Sequence, residues 1–435
     1  MSVGRRVEIA EVWLWGTHVA SIADSGDQVT FRYTPEFQTS GIELAPITMP
    51  LSNAIFSGFE SLNPATYYGL PALVADSLPD KFGKTLIDQW LATHGRPAGS
   101  LTPIERLSYI GTRGMGALEY RPATERADVP DGPLEVEQLL ELASTALTTK
   151  EGMVASGLAT SEQLTEILSV GTSAGGARAK AIIAWNPDVG EVRSGQLTDL
   201  PDGFSHWLLK FDGVSENRDK EALADPAGYG RIEFAYSLMA AAAGITMAES
   251  RLLEEGGRAH FVTRRFDRVD ATGKLHYQSL NAMAEYDYNT PRSASYEQAI
   301  AAMRRIGVGQ SDVAQQVRRC IFNVVCRNQD DHTKNIGFLM DRQGQWRLSP
   351  AFDLVYSYNP QGAWTNQHQM TVAGKADDFE RADFWQLGET ADLSRREVDA
   401  LIDEVTAAAK QWPTFASEAD VFDEHRSIAE TFRSI

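Results

Sequence analysis

Asp330-Asp331-His332-Thr333-Lys334-Asn335 sets a carboxylate and a carboxamide five positions apart. No other stretch narrows the possible folds so far. The spacing is that of a protein-kinase catalytic loop, where the Asp accepts the proton of the substrate hydroxyl and the Asn holds Mg²⁺. A third acidic residue, Asp353, follows in Ser349-Pro350-Ala351-Phe352-Asp353. Phosphoryl transfer calls for such a set, because negative charge spreads over oxygens that hard metal ions neutralise, while one carboxylate is kept to orient the attacking hydroxyl. Between the two acidic sites, Ile336 to Met340 is apolar, Asp341-Arg342-Gln343-Gly344 is a turn signal, and Gln345 to Leu348 alternates. This pattern predicts a β-hairpin that returns Asn335 and Asp353 to one site. Two other readings use the same residue types: a plain polar turn between strands, and a carboxylate–His metal site for hydrolysis built on His332.

The chain has 435 residues, which predicts two or three structural units. A hydrophobic content of 43% is that of a globular protein. The net charge of −19 argues against direct nucleic-acid binding, which wants a basic patch. An acidic face would instead dock a basic protein or keep the chain soluble. The two cysteines, Cys320 and Cys326, lie in an apolar helical run and read as core thiols, with neither disulfide nor zinc spacing. Met1 to Ala10 lacks the apolar region of a signal peptide, and no apolar stretch is long enough to span a membrane. A cytoplasmic protein without membrane contact is expected.

Val7 to Tyr33 reads as three strands, with turn signals at Gly16 and at Asp24-Ser25-Gly26-Asp27. From Leu70 the apolar spacing becomes helical through Trp90, and Pro103 to Ile110 is a further helix. Pro122 to Pro133 reads as a linker. Leu134 to Leu147 and Ser161 to Leu168 look helical, Ala181 to Trp185 and Phe204 to Phe211 are strands, and Gly230 to Ala243 is a helix. Ala259 to Phe266 is another strand. Beyond about residue 271 the pattern is mostly helical, clearest over Tyr296 to Ile306 and Ser311 to Val325. The chain thus divides at 1–125, an accessory unit of strands then helices, at 126–270, a nucleotide-binding lobe, and at 271–435, a helical catalytic lobe. A sheet-rich segment followed by a helical one that carries the acidic motifs is the order of a two-lobed kinase.

A kinase also needs groups that hold the ATP phosphates. Gly171 to Lys180 is a run of small residues whose backbone N–H groups would approach phosphate oxygens, with Lys180 adding charge. It matches neither a Walker A loop nor GxGxxG, and a lone glycine-rich turn is often only a turn. Lys210, at the end of Trp207-Leu208-Leu209, is placed as a strand lysine that pairs with nucleotide phosphates.

Taken together, Ser173 to Lys180, Lys210, Arg265-Phe266-Asp267-Arg268, Asn328 to Asn335 and Pro350-Ala351-Phe352-Asp353-Leu354 resemble the HipA family. These are bacterial Ser/Thr kinases that act as toxins of toxin–antitoxin pairs. Leu70 to Asp80, Arg106 to Gly111 and Gly116 to Tyr120 resemble that family's N-terminal subdomain, so the resemblance spans nearly the whole chain. It implies an α+β, two-lobed protein-kinase-like fold with an N-terminal β-rich subdomain and a helical C-terminal lobe.

The resemblance also implies roles. Asp330 is the catalytic base, and Asn335 and Asp353 bind Mg²⁺. Gly175, Gly176, Ala177, Arg178, Lys180 and Lys210 hold the phosphates. His332 touches the nucleotide, Arg264 to Phe266 form the hinge beside adenine, and Ser173 is the autophosphorylated serine. The substrate class is a translation component such as an aminoacyl-tRNA synthetase, and the partner is a small, basic, DNA-binding antitoxin. The chain departs from the family at Arg178, where Gln is common, at Arg264, where the hinge is often acidic, and around Tyr277 to Leu280, where an acidic pair is missing. These changes bear on the substrate more than on the chemistry. A small-molecule kinase on this fold, or a degenerate kinase that only binds a partner, would share many of these features.

Overall fold

The computed structural model describes residues 9–79, 81–93, 95–123, 132–148, 167, 170, 178–197, 199–214, 227–269 and 273–435. The linker expected over 122–133, the helix over 161–168 and the run 171–177 lie largely or wholly outside them. The chain divides into two compact units. One comprises 1–44, 51–227 and 253–277; the other comprises 45–50, 228–252 and 278–435.

The first unit opens with β1 (Ile9–Leu14), β2 (Thr17–Asp24) and β3 (Val29–Tyr33), the three strands expected from the alternation. Leu14 pairs with Thr17 across Trp15 and Gly16, which have φ of 50° and 83°. A two-residue turn with both φ positive matches the twist of the strands it joins, and glycine supplies the second position without strain. After one-turn helices at Pro35–Gln38, Pro64–Tyr67 and Ala72–Ala75 come two longer ones, α1 (Lys81–Thr93) and α2 (Pro103–Ile110), and β4 (Leu118–Arg121) then completes a sheet of order β3-β2-β1-β4. A capping box of Thr102 and Glu105 starts α2.

Past α3 (Val136–Thr148), a second sheet is built from β5 (Lys180–Asn186), β6 (Glu191–Ser194), β7 (Ser205–Lys210), β8 (Ser250–Glu255) and β9 (Arg258–Arg264), in the order β6-β5-β7-β9-β8. Every residue of the interior strand β5 is buried, as expected for a strand covered on both faces. Phe82, Leu86 and Ile87 of α1, Leu139 and Ala143 of α3, and Ile183, Leu209 and Val262 of the sheet form one apolar cluster. The short strands β4, β6 and β8 escape a hydrophobicity reading because half or more of their residues are polar or charged.

In the second unit, α4 (Tyr229–Ala242), α5 (Tyr296–Arg305), α6 (Gln310–Val325), α7 (Arg381–Thr390), α8 (Arg395–Ala409) and α9 (Trp412–Glu418) dominate, as the helical pattern predicts. Val313, Val317, Cys320, Ile321 and Val324 form the buried stripe of α6. Both cysteines are buried free thiols, as expected. Tyr236 of α4 packs against Phe322, Trp412 and Phe432, and its hydroxyl donates to the Cys326 carbonyl at 2.7 Å. The predicted hairpin is present: β11 (Gly337–Met340) pairs with β12 (Trp346–Leu348), and β10 (His276–Ser279) borders β11. No helix among the described residues is long and apolar enough to cross a membrane.

Candidate active site

The acidic motif begins where α6 ends. Arg327 turns the chain at φ 57°, its Nε donating to the Thr431 carbonyl at 2.7 Å and its guanidinium lying 4.3 Å from the ring of Tyr358. Positive φ is costly for a residue with a Cβ, so such a turn persists only where neighbours hold it. The backbone then runs beside 357: Ser357 donates to the Arg327 carbonyl and Gln329 donates to the Ser357 carbonyl, both at 3.0 Å.

Two adjacent carboxylates face opposite environments. The side chain of Asp331 has 0% exposure. It accepts from the Tyr296 hydroxyl at 2.8 Å, from His368 Nδ1 at 2.9 Å and from the Gln369 backbone N–H at 2.8 Å. A buried carboxylate is tolerable only with partners of this number. Asp330 is 42% exposed and receives the indole N–H of Trp364 on Oδ1 at 2.6 Å. Asn335 Nδ2 donates back to the Asp330 carbonyl at 2.9 Å, closing the loop on itself. That bond engages the amide nitrogen and leaves the Asn335 side-chain oxygen as the one atom of the group that could serve a metal. His332 Nε2 stands 3.8 Å from Asp330 Oδ1, and its ring lies 5.3 Å from that of Tyr288.

Asp353 is tied to the same loop through buried amides. Asn323 donates to the Tyr296 hydroxyl at 3.0 Å, and Asn328 Nδ2 donates to Asn323 Oδ1 at 3.0 Å and to the Asp353 carbonyl at 3.3 Å. The exit of the hairpin is fixed as well: Arg319 donates to the Ser349 carbonyl at 2.7 Å, and Ala351 donates to the Thr246 carbonyl at 2.8 Å. Asp353 itself sits at φ 54°. The donors offered by Asn335 and Asp353 are hard oxygens, the set that suits Mg²⁺, which commonly takes one or two carboxylates and completes its shell with phosphates and water. Among the described residues, no three His, Cys, Asp or Glu side chains gather as a protein-only metal cage would require.

In the first unit, Lys180 and Lys210 are direct cross-strand partners on β5 and β7 and are both buried. Paired residues on antiparallel strands share a face. Arg178 is half-buried just before β5, while Ser173, Gly175, Gly176 and Ala177 lie outside the described residues. Arg264 ends β9 exposed, and Phe266 is half-buried with its ring 6.0 Å from Tyr277. Arg265 between them faces inward. It clamps Asp267 with Nε at 2.9 Å and Nη2 at 2.6 Å, and Arg268 and the Gly116 N–H reach Asp267 Oδ2 at 2.7 Å. Burial pushes the Asp267 carboxyl up, but the two guanidiniums outweigh it and hold the group well below the usual range. Gly116 is required there: its φ is 73°, and a Cβ would meet the Tyr277 nitrogen at 2.6 Å.

The structure therefore groups Asp330, His332 and Asn335 on one loop and links Asp353 to it, and it sets Lys180 beside Lys210. Sequence reasoning missed Tyr296, Asp331, Trp364, His368 and Gln369. Only Asp331, next to the motif, carried a local signal.

Comparisons with known proteins agree on a family. The HipA-like C-terminal domain matches residues 172–412, and the HipA N-terminal domain matches residues 10–121. A Sinorhizobium fredii protein named "Putative kinase Y4mE" is 25% identical over 350 residues, covering 76% of each chain. A second from that organism, "Putative kinase Y4dM", is 25% identical over 274 residues, covering 56% of this chain and 62% of its own. Among solved structures, the HipA of Shewanella oneidensis MR-1, in a complex with HipB and operator DNA, superposes with a TM-score of 0.65 at 16% identity, covering 97% of this chain and 94% of that one. At that identity the likeness is one of fold.

Proposed function

The chain belongs to the HipA family, and from that premise we propose that it is a serine/threonine protein kinase, dependent on ATP and Mg²⁺, acting as the toxin of a toxin–antitoxin pair. The observation that carries the reading is the contrast within the 330–335 loop. Asp331 is locked inside by three hydrogen bonds, which holds Asp330 outward beside an Asn335 folded back onto it. Asp330 takes the proton of the attacking hydroxyl as the new O–P bond forms and the bond from the γ-phosphorus to the departing ADP oxygen breaks. Asn335 and Asp353 hold Mg²⁺, which when bound offsets charge on the phosphate oxygens. Lys180 and Lys210 bind phosphate with Arg178 and the 175–177 backbone. The two lysines are register partners on β5 and β7 and so project from one face of the sheet. His332, Arg264 and Phe266 contact the nucleotide.

The substrate class is a protein of the translation machinery such as an aminoacyl-tRNA synthetase, and the partner is a small, basic, DNA-binding antitoxin. Family membership supports both, and the HipB and operator DNA of the Shewanella complex support the second. Ser173 is the self-modified switch. A phosphoserine there brings a charge of about −1.5 to −2, which repels the ATP phosphates. The test is Asp330→Asn, an isosteric change that removes the proton acceptor. Phosphotransfer to protein and to Ser173, followed by mass spectrometry, should vanish while ATP-analogue binding persists. Near-wild-type labelling would remove Asp330 from the base role. Phosphoproteomics of cells expressing the wild type and this variant would identify the target.

A further inference from the structure

We propose that Trp364 is the positioning residue for the catalytic carboxylate. This role rests on the reading of Asp330 as the base. The indole Nε1 donates to Asp330 Oδ1 at 2.6 Å, a short contact of the kind made to charged acceptors. His332 Nε2 approaches the same oxygen at 3.8 Å. The other oxygen, Oδ2, takes no hydrogen bond from the described residues and belongs to a side chain 42% exposed. The carboxylate is thus held by one edge and presented by the other. An indole N–H suits this task because it is a donor only and cannot take up the substrate proton itself.

Trp364 is itself held. It is buried at 8% exposure. Its carbonyl accepts from Gln369 Nε2 at 2.5 Å, and the backbone N–H of Gln369 donates to Asp331 Oδ1 at 2.8 Å. His368 Nδ1, one residue earlier, donates to Asp331 Oδ2 at 2.9 Å. The 364–369 turn is therefore clamped to Asp331, and through Trp364 it returns to Asp330. Adjacent carboxylates divide the work: one anchors the turn, and the turn orients the other.

Trp364→Phe keeps the ring and deletes the donor. In the full chain it should lower kcat for phosphotransfer by about a hundredfold, the scale of a small misplacement of a reacting group, while KM for ATP changes by less than about twofold. Amide-type NMR of the nitrogen-15-labelled tryptophans reads the contact without turnover. One low-field indole resonance should disappear in Trp364→Phe and move upfield in Asp330→Asn. An indole resonance unmoved by Asp330→Asn would overturn the contact, even if Trp364→Phe failed to fold. Unchanged or raised kcat in Trp364→Phe would overturn the positioning role alone. Retained turnover in Asp330→Asn would overturn the base assignment and this role together.

Discussion

Asp353 joins the proposed metal-binding role to a backbone one, and the two can be separated. It sits at φ 54°, where an ordinary L-residue costs about 1–2 kcal/mol, Asn and Asp less and glycine nothing. Asp353→Ala should both weaken Mg²⁺–nucleotide binding, read by calorimetry, and lower the unfolding midpoint. Asp353→Gly should weaken binding equally while keeping a higher midpoint than Asp353→Ala. Equal stability of the two variants would show that the backbone here is unstrained, and unchanged Mg²⁺–nucleotide affinity would move the metal elsewhere. The loop and the hairpin that carry Asp330, Asn335 and Asp353 were legible in sequence because turn residues and short apolar runs are local signals. The groups that hold them were not. Tyr296 reaches Asp331 across 35 positions, and Trp364 reaches Asp330 across 34. No periodicity carries such a pairing, because it arises when α5 and the 357–371 segment pack on the loop.

At the scale of elements, the sheet that carries Lys180 and Lys210 also carries two neutral histidines. Burial, reinforced by Arg265 and Arg268, pushes His206 of β7 down to about 4, and burial does the same for His260 of β9. His260 Nδ1 accepts the Asp212 backbone N–H at 2.9 Å, a bond only the unprotonated nitrogen can make. Above the ordinary value of 6.5 folded and unfolded forms are both neutral, and stability is complete. As pH falls from 6.5 toward about 4, the unfolded chain takes up protons that the folded sheet refuses, and stability is lost, at most about 3 kcal/mol for each group. His260→Asn keeps an acceptor for Asp212 without a titrating proton. Its thermal midpoint should fall less than that of wild type across this window and no less above it. Parallel midpoint-against-pH curves would contradict this account. Strands β5, β7 and β9 were legible from their apolar runs, whereas β6, with one apolar residue, is a strand because β5 offers it a ladder.

For the whole molecule, net charge makes the clearest prediction. At −19 the chain alone should not retard DNA in a gel shift, because binding that releases counterions needs a basic surface. Operator binding should appear only when a basic partner is added, and salt-sensitive retardation by the isolated chain would refute that. The order of the architecture was readable from sequence alone: strands, then helices, then a sheet, then a helical half carrying the acidic loop. So were the buried thiols and the hairpin that returns Asp353. Each is a matter of short-range spacing, which dictates local conformation and the face to be buried. Tertiary structure decided which of two neighbouring carboxylates turns inward, that a tryptophan meets the outward one, that Arg265 is spent on Asp267, and that two lysines stand opposite each other. Those outcomes depend on register and on contacts between distant segments, where desolvation forces each buried charge to find its partners and leaves exposed only what has none inside.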